Sequence, residues 1–449
     1  MVRRRKDWKR NKISTVQMIS VMFLSIIMIG SILLWLPFTQ AANHQISYID
    51  ALFVATSSVC VTGLTPVVIA DVFNPVGHAI MLLLIELGGL GFMSVVLLIS
   101  LMLKRRLSLQ SRLIIKDMLN LDSHGGVVKL LKFVLRFSVL VQLLGALLLS
   151  IQFVPDYGIK KGIFYSVFHS VSAFCNAGFD LFGDSLIGYQ DNGYVLLIIS
   201  LLIISGGFGF IVWYDLIHFK REARMSIHTK LALIVTGTLL LLGTVVFYLT
   251  EPTVDKSFLA NLSHSFFLSV TPRTAGFASI DYGTMTYAGI ILTIVLMFIG
   301  GTSGSTAGGV KTTTVGVLTI QLISLLKGRE EAEVFERTIP LKTVLKSFML
   351  VFFASLICLV SSLILAVTEY IPENSGIEYV LFEVVSAFAT VGLTMGLTPD
   401  LTVFGKFLIM SLMYIGRVGL YTVVFSLVKK ELVSQSSKYM YPKENILIG

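Results

Sequence analysis

The chain has 449 residues, of which 55% are hydrophobic and only 14% are charged. Its mean hydropathy is +0.85. Soluble domains carry about a quarter charged residues, so this composition excludes a soluble globular protein and predicts a chain that lies in a lipid bilayer. The net charge of +9 does not indicate nucleic-acid binding, because no basic stretch is interleaved with exposed aromatic residues.

Eight apolar stretches are long enough to cross the hydrocarbon core, which takes about 20 residues of helix. In chain order they span approximately 16–38, 76–103, 131–154, 194–218, 229–250, 284–326, 344–371 and 404–428. Eight crossings place both termini on one side. Most Lys and Arg residues fall on that side, in segments 1–12, 104–136, 220–230, 327–346 and 429–443. The positive-inside rule makes this side cytoplasmic, and its charges are expected to contact acidic membrane lipids.

A shorter segment that ends in a glycine motif lies between the two helices of each consecutive pair. The copies begin at residues 53, 168, 266 and 382 and read FVATSSVCVTGLTPV, FHSVSAFCNAGFDLF, FFLSVTPRTAGFASI and FEVVSAFATVGLTMG. Each has a phenylalanine ten residues before its glycine, which indicates a fourfold repeat. We therefore predict an all-α polytopic membrane protein with eight transmembrane helices, arranged as four helix–pore-loop–helix repeats around a pseudo-fourfold pore.

The glycine motif predicts a cation site lined by backbone carbonyls. Irregular backbone at membrane depth persists only where it is buried in protein or lines water, and carbonyl oxygens can replace the hydration shell of a cation. Glycine tolerates positive φ and lets the backbone approach an ion closely. The motif has no ring of carboxylates or basic residues, which favours a monovalent cation. The predicted ion-binding filter residues are Val61, Thr62, Gly63, Asn176, Ala177, Gly178, Thr274, Ala275, Gly276, Thr390, Val391 and Gly392.

A second glycine cluster follows each motif, and its glycines are interpreted first as sites of tight helix packing. In the third repeat, the stretch 284–326 would form a straight helix about 64 Å long, twice the hydrocarbon core, so it must break. Only this second helix is expected to be fully broken. The break is the run of small residues Gly300, Gly301, Thr302, Ser303, Gly304, Ser305, Thr306, Ala307, Gly308 and Gly309.

Two basic residues near these clusters stand in apolar surroundings, where a charge is costly unless it faces water or a partner. Arg417 is predicted to project toward the pore below the filter and to raise the barrier to cations. The alternative is a structural arginine paired with Glu86. Lys311 fits gate anchoring and simple helix solvation equally. Three further residues are predicted to support the loops, the first by bonding loop carbonyls and the others by packing or capping: Arg273, His169 and His264.

These motifs resemble the Trk/Ktr/HKT superfamily of potassium transporters, most closely the Ktr membrane subunit of the KtrB/KtrD type, over residues 14–430. The resemblance lies in VTGL, NAGF, TAGF, TVGL and the stretch GGTSGSTAGGVKTT. It implies a homodimer that takes up potassium through filter carbonyls, and an intramembrane gate at 300–309. It also implies a cytosolic ring of RCK/KTN-type regulatory subunits of the KtrA/KtrC type. That partner, not this chain, binds nucleotide (ATP or ADP), and sodium is a candidate activator.

Two positions bear on how closely the chain follows that family. Gly63 matches the potassium-preferring pattern, since some plant relatives that favour sodium carry serine there. The last helix departs from the expected Gly-Arg-hydrophobic-Gly-Pro-Leu-Thr, because Leu420 and Tyr421 follow Gly419. Loss of a proline straightens a helix locally, so the departure concerns the geometry near Arg417 and not the filter.

The expected organisation is a cytoplasmic segment, four pore repeats, of which the third contains the gate loop, and a cytoplasmic tail. Their ranges are 1–15, 16–105, 106–219, 220–330, 331–430 and 431–449. The tail fits a regulator contact and a disordered end equally. The predicted function is potassium uptake across the cell membrane of a bacterium. The alternative is a secondary cation symporter with its substrate site at the broken third-repeat helix. An enzyme is not expected, because no set of His, Asp, Glu and Cys residues converges at membrane depth.

Overall fold

The computed structural model describes residues 15–42, 44–91, 127–222, 225–251, 257–373 and 375–419. Several predictions lie outside these residues: the N-terminal segment, the basic residues at 1–12 and 429–443, the inner part of the first repeat beyond Gly91, the positions Leu420 and Tyr421, and the C-terminal tail.

The described residues are mostly α-helical. The helices are α1 (Thr15–Trp35), α2 (Tyr48–Cys60), α3 (Ile69–Val72), α4 (Pro75–Gly89), α5 (Val127–Tyr157), α6 (Ile159–Cys175), α7 (Gly193–Gly207), α8 (Phe210–Glu222), α9 (Ile227–Thr250), α10 (Phe258–Val270), α11 (Tyr287–Phe298), α12 (Thr312–Leu326), α13 (Leu341–Thr368), α14 (Ile377–Ala389), α15 (Leu397–Asp400) and α16 (Val403–Val418). Strands β1 (Ala332–Val334) and β2 (Arg337–Ile339) form an antiparallel hairpin with Ala332 opposite Ile339.

The long apolar helices lie on the outside of the bundle. Within the described ranges, α5, α9 and α13 are long and apolar enough to cross a membrane, and α7 with α8 makes a fourth span if the bent pair counts as one. Leu143, Leu147 and Ile151 on α5 are each more than 60% exposed, and an apolar surface of this kind suits lipid. The all-α class is confirmed. The number of eight crossings stays a prediction.

The short helices at the start of each glycine motif lie at the centre of the fold. These pore helices are α2, α6, α10 and α14. The aligned phenylalanines Phe53, Phe168 and Phe382 are completely buried, while in the third copy Phe267 takes the buried place beside the half-buried Phe266. The recurrent phenylalanine therefore marks the face of each pore helix that packs into the core.

The second glycine clusters bring the second helices against the carboxyl ends of the pore helices. A Cβ atom on the cluster glycine would overlap the carbonyl oxygen of the residue four positions before a filter glycine. The pairs are Gly88 with Val59, Gly206 with Phe174, and Gly416 with Phe388. The packing interpretation is confirmed at these three glycines, because a larger residue would push the second helix away from the loop that follows the pore helix.

One expectation about the second helices is wrong. The stretch 194–218 is divided into α7 and α8, which are bent by 94° relative to each other. Gly209 lies in the bend with φ +93°, a conformation that glycine adopts without steric cost. The second helix of the third repeat is therefore not the only one that is fully broken.

Candidate functional site

Four glycines from distant parts of the chain meet in a closed ring. Each faces the carbonyl oxygen of the residue that precedes the glycine of the next copy, and the fourth copy faces the first. The contacts are Gly63 to Ala177, Gly178 to Ala275, Gly276 to Val391, and Gly392 to Thr62. A Cβ on Gly178 would lie 2.7 Å from that oxygen, closer than carbon and oxygen pack. The copies therefore follow one another around the ring in chain order, with copies 2 and 4 on opposite sides.

The four loops share an alternating backbone conformation. The residue two before each glycine has positive φ: 57° at Val61, 60° at Asn176, 70° at Thr274 and 52° at Thr390. The four glycines also have positive φ, between 69° and 100°. Left-handed conformations cost a non-glycine residue about 1–3 kcal/mol, most for β-branched residues. Alternation of hand turns successive carbonyls to the same side of the strand, so the strain in all four copies has a common geometric result.

Hydroxyl groups of the pore helices hold each loop in this conformation. In copies 1 and 4, the N–H of the filter glycine donates to a serine hydroxyl. In copies 2 and 3, a hydroxyl donates to the carbonyl oxygen of the residue that follows the filter glycine. The bonds are Gly63 N to Ser57 Oγ at 3.0 Å, Gly392 N to Ser386 Oγ at 3.1 Å, Ser172 Oγ to Phe179 O at 2.8 Å, and Thr271 Oγ1 to Phe277 O at 2.6 Å. Every loop is thus tied to its own pore helix.

Three threonine hydroxyls at the ring are buried with no hydrogen-bond partner among the described residues: Thr62, Thr274 and Thr390. A buried polar group that is left unsatisfied costs about 1–3 kcal/mol. Hydroxyl oxygens accept from water and coordinate alkali cations, so this chemistry fits a site that takes up water and monovalent ions. All twelve residues predicted as filter residues lie in the ring.

The loop 300–309 packs directly against the ring, on the side where the second helices α4, α7, α11 and α16 end. A Cβ on Gly308 would overlap Thr390 Oγ1, and one on Gly300 would lie 3.1 Å from Thr274 Cγ2. Thr306 Oγ1 lies 3.2 Å from the carbonyl oxygen of Phe174 and beside the Asn176 amide. The loop therefore contacts copies 2, 3 and 4 of the filter.

The same loop is bonded to the bend between α7 and α8. Thr302 N donates to Gly207 O at 3.0 Å, and Thr306 N donates to Gly206 O at 3.2 Å. In the opposite direction, Phe210 N donates to the carbonyl oxygen of Gly304 at 2.9 Å. The two breaks, one in each of two neighbouring second helices, satisfy each other's backbone groups.

Arg417 reaches the loop from α16. Its guanidinium donates to the carbonyl oxygens of Thr306 and Gly88, and to that of Gly89 at 3.1 Å. Among the described residues, Arg417 does not pair with Glu86, which was the alternative interpretation of the sequence. The Glu86 carboxylate accepts instead from Gln142 Nε2 at 2.9 Å and from the Cys175 thiol at 3.3 Å. Arg417 therefore bridges the loop 300–309 and the end of α4, on the side of the ring where that loop lies.

Lys311 anchors the loop from its own carboxyl end. Its Nζ donates to Ala307 O at 2.7 Å and is 3.4 Å from Gly308 O. This geometry shows that Lys311 bonds the loop 300–309; a role of that loop as a gate stays a prediction.

Arg273 does not bond the loop carbonyls, so that expectation is wrong. Its Nη2 donates to the Thr236 hydroxyl of α9 at 3.3 Å, and its Nε is buried without a partner among the described residues. The buried side chain lines a small cavity between α7 and α9, together with Ile204 and Leu240.

Both histidines of the pore helices are packing residues, as predicted. The His169 ring stacks on Phe182 with centroids 4.2 Å apart and bonds to Tyr165 O through Nδ1 at 2.7 Å. His264 Nε2 lies 3.2 Å from the Ser279 hydroxyl. Each links a pore helix to the chain that follows the filter glycine.

An ion pair that was not predicted from the sequence joins the first and fourth repeats. Lys406 Nζ on α16 lies 2.7 Å from Asp50 Oδ1 on α2, and both side chains are less than 20% exposed. The partners are too far apart in sequence for spacing to indicate the pair. The only signal was two charges in otherwise apolar segments. The pair ties the second helix of the fourth repeat to the pore helix of the first, near the amino ends of both helices.

A mostly helical, lipid-facing fold around four glycine loops defines a polytopic membrane transport protein. Residues 3–438 match the TrkH family, described as cation transport protein. The potassium/sodium uptake protein NtpJ of Enterococcus hirae is 50% identical over 98% of each chain. The Ktr system potassium uptake protein B of Bacillus subtilis is 40% identical over 96% of each chain. The chain belongs to the TrkH family of cation transport proteins, with the Ktr-type membrane subunits of the Trk/Ktr superfamily.

The fold has a relative of known structure. The potassium transporter TrkH from Vibrio parahaemolyticus aligns with a TM-score of 0.74 at 20% identity, over 95% of this chain and 87% of that chain. The resemblance drawn from the glycine motifs is confirmed. Because the family transports cations, the chain is a membrane cation transporter and not an enzyme.

Proposed function

We propose that this chain is the potassium-translocating subunit of a Ktr-type uptake system, and that potassium passes along the axis of the glycine ring. The closed cycle in which each filter glycine faces a carbonyl of the next copy carries this proposal. Carbonyl dipoles around an axis replace the hydration shell of a cation, and the ring has no acidic or basic side chain. The printed names of the relatives, which are potassium or potassium/sodium uptake proteins, support potassium as the ion.

The loop 300–309 acts as the gate in this proposal, with Lys311 and Arg417 holding it under the ring. Two cationic groups near the axis oppose a passing cation, since charges interact strongly in a medium of low dielectric constant. The bonds from Arg417 to carbonyls of both the loop and α4 support a closed arrangement.

Replacing Arg417 by alanine is expected to raise rubidium flux about fivefold, because it removes a charge and the three bonds by which Arg417 ties the loop to α4. Arg417→Lys, which keeps the charge but loses the forked contacts, is expected to lie between the parent and the alanine variant. The measurement is initial uptake in cells at matched membrane levels. Arg329→Ala is the control, since Arg329 pairs with Glu333 in an exposed segment away from the loop. Unchanged flux in Arg417→Ala contradicts the gate assignment.

The wider system belongs to the same proposal. It is a homodimer in the bacterial cell membrane, with four repeats at the boundaries given above and both termini in the cytoplasm. A cytosolic RCK/KTN-type ring binds ATP or ADP and controls the gate, and sodium activates transport. The Ktr names of the relatives and the family resemblance support these features. Contact with membrane lipid is supported by the exposed apolar faces of α5 and α13.

A secondary symporter is the second candidate, and one observation favours it. The bend between α7 and α8 means that two broken helices meet, through Thr302 N and Gly207 O. Broken helices that meet at mid-membrane are typical of symporter substrate sites. The ring of four loops has no role in that mechanism, so we place the symporter second.

Uptake measurements separate the two functions. The parent chain is expected to rescue growth of an uptake-deficient bacterium at limiting potassium. In proteoliposomes, a potassium gradient alone is expected to drive rubidium exchange without a sodium or proton gradient. Failure to rescue contradicts potassium uptake. Rescue together with a strict need for a second ion gradient replaces the pore with the symporter.

A further inference from the structure

Glu383 is a completely buried acid on the pore helix α14, nine residues before Gly392. One of its carboxylate oxygens accepts from the Thr394 hydroxyl at 2.7 Å, and the other accepts from the Thr398 hydroxyl. Both threonines follow the filter glycine and lie on the side of the ring away from the gate loop. The carboxylate therefore connects the pore helix to the extended chain that follows Gly392. This segment lies at the outer entrance of the filter and is called the outer strand below.

The clamp extends further along that strand. Thr394 Oγ1, which donates to Glu383, also accepts from Gly396 N at 2.9 Å. Thr394 stands two residues after Gly392, so its position is coupled to the direction of the Gly392 and Leu393 carbonyls. Hydrogen bonds to an ionised group are stronger and shorter than neutral ones, which suits a contact that fixes geometry.

The other copies show what is particular about this position. The residues that follow the buried phenylalanine of each pore helix are Val54, His169, Leu268 and Glu383. In copy 2, His169 Nε2 accepts from Leu181 N at 3.4 Å, so it also holds the strand that follows its filter glycine. Copies 2 and 4 lie opposite each other in the ring. In copy 3, His264 on the preceding turn of its pore helix holds that chain through Ser279, so among the described residues only copy 4 uses an acid for this contact.

A purely structural role explains this acid poorly. Burying a carboxylate costs several kcal/mol unless the surroundings satisfy it, and apolar residues fill the same place in copies 1 and 3. Packing alone is therefore compatible with valine or leucine at this position. The acid brings the two oriented bonds to Thr394 and Thr398.

We propose that Glu383 is a positioning residue for potassium selectivity, which acts by fixing the outer strand of the fourth filter copy through Thr394 and Thr398. The inference rests on the proposed function of the ring. Loss of the clamp lets the Gly392 and Leu393 carbonyls turn from the axis, which affects potassium more than sodium because potassium is the ion that the fixed carbonyls fit.

The test is a mutant cycle read out as apparent KM for potassium and as the potassium-to-sodium uptake ratio. Glu383→Ala and the double variant Thr394→Val/Thr398→Val are each expected to lower that ratio about fivefold, the scale of one or two bonds to a charged group. The triple variant is expected to show no further loss, since all act through one contact. Glu383→Gln keeps an acceptor oxygen and is expected to recover most of the selectivity.

Two further variants, Glu369→Ala and Gly392→Ser, separate an effect of the clamp from the loss of any buried acid and from a failure of the ring proposal. Glu369→Ala removes another buried carboxylate, which accepts from Thr402 N at 2.8 Å and Thr402 Oγ1 at 2.7 Å, away from the ring. It is expected to leave the ion ratio unchanged. Unchanged selectivity in Glu383→Ala at normal membrane level, or in the threonine double variant, overturns the clamp, as does a glutamine variant as poor as alanine. If Gly392→Ser is also without effect, the proposed function of the ring fails instead.

Discussion

Serine in place of Gly276 or Gly392 is expected to lower the preference for potassium over sodium by more than about tenfold, which corresponds to about 1.4 kcal/mol. The reason is steric and conformational together. A Cβ at Gly276 would overlap the carbonyl oxygen of Val391, and one at Gly392 would overlap that of Thr62. Both glycines also have strongly positive φ, 79° and 100°, which an L residue adopts only at a cost. The neighbouring carbonyl must move, and it is a carbonyl of the ring.

The measurement compares rubidium and sodium uptake at matched membrane levels. Gly237→Ser in α9 is the matched control, because no described residue lies within 4 Å of a Cβ at that position. It is expected to behave like the parent. If Gly276→Ser and Gly392→Ser also keep the parent's ion preference, the glycines serve only packing and the carbonyl filter is wrong.

Removal of residues 300–309 is expected to raise potassium flux by roughly tenfold or more, since a barrier of about 1.4 kcal/mol amounts to that factor. The ends of the segment lie side by side. Ile299 and Val310 form a bridge, and Gly300 N donates to Val310 O at 2.9 Å. The two ends are therefore close in space, and because the paired segments run parallel, a short glycine linker between Ile299 and Val310 is needed to let the chain turn.

The deletion variant is measured in the same uptake assay, alone and combined with Gly392→Ser. The single deletion is expected to keep selectivity, because each filter loop keeps its bond to its own pore helix, whereas the combination is expected to carry a large flux with little selectivity. Reduced or unchanged flux at normal membrane level counts against the gate. High flux that keeps its selectivity after Gly392→Ser shows that ions bypass the ring.

The four glycine loops could be predicted from the sequence because the same motif occurs in it four times. The fixed spacing from Phe53, Phe168 and Phe382 to their glycines reports one local structure, and glycine's freedom at positive φ is a property of the residue itself. The left-handed residues before each glycine were less visible. Val61 and Thr390 are β-branched and have no intrinsic preference for that conformation, so the surrounding fold imposes it.

Other parts of the site depend on contacts that sequence patterns do not specify. Gly206 and Gly207 precede a 94° bend, where the loop 300–309 of another repeat donates backbone hydrogen bonds to their carbonyls. A break is affordable only where such partners exist. Glu383 was not predicted for the same reason. Its partners Thr394 and Thr398 lie 11 and 15 residues away in sequence and meet it only in the folded chain.

The most direct test of the account is diffraction from crystals of the protein grown with rubidium, whose anomalous signal locates the ion. Rubidium is expected on the axis of the ring, where carbonyl oxygens of the filter loops coordinate it. These oxygens belong to Thr62, Ala177, Ala275 and Val391 or to the adjoining glycines. Rubidium between the two broken helices near Gly207 and Thr302, with none on the axis of the ring, would contradict the filter and establish the symporter site in its place.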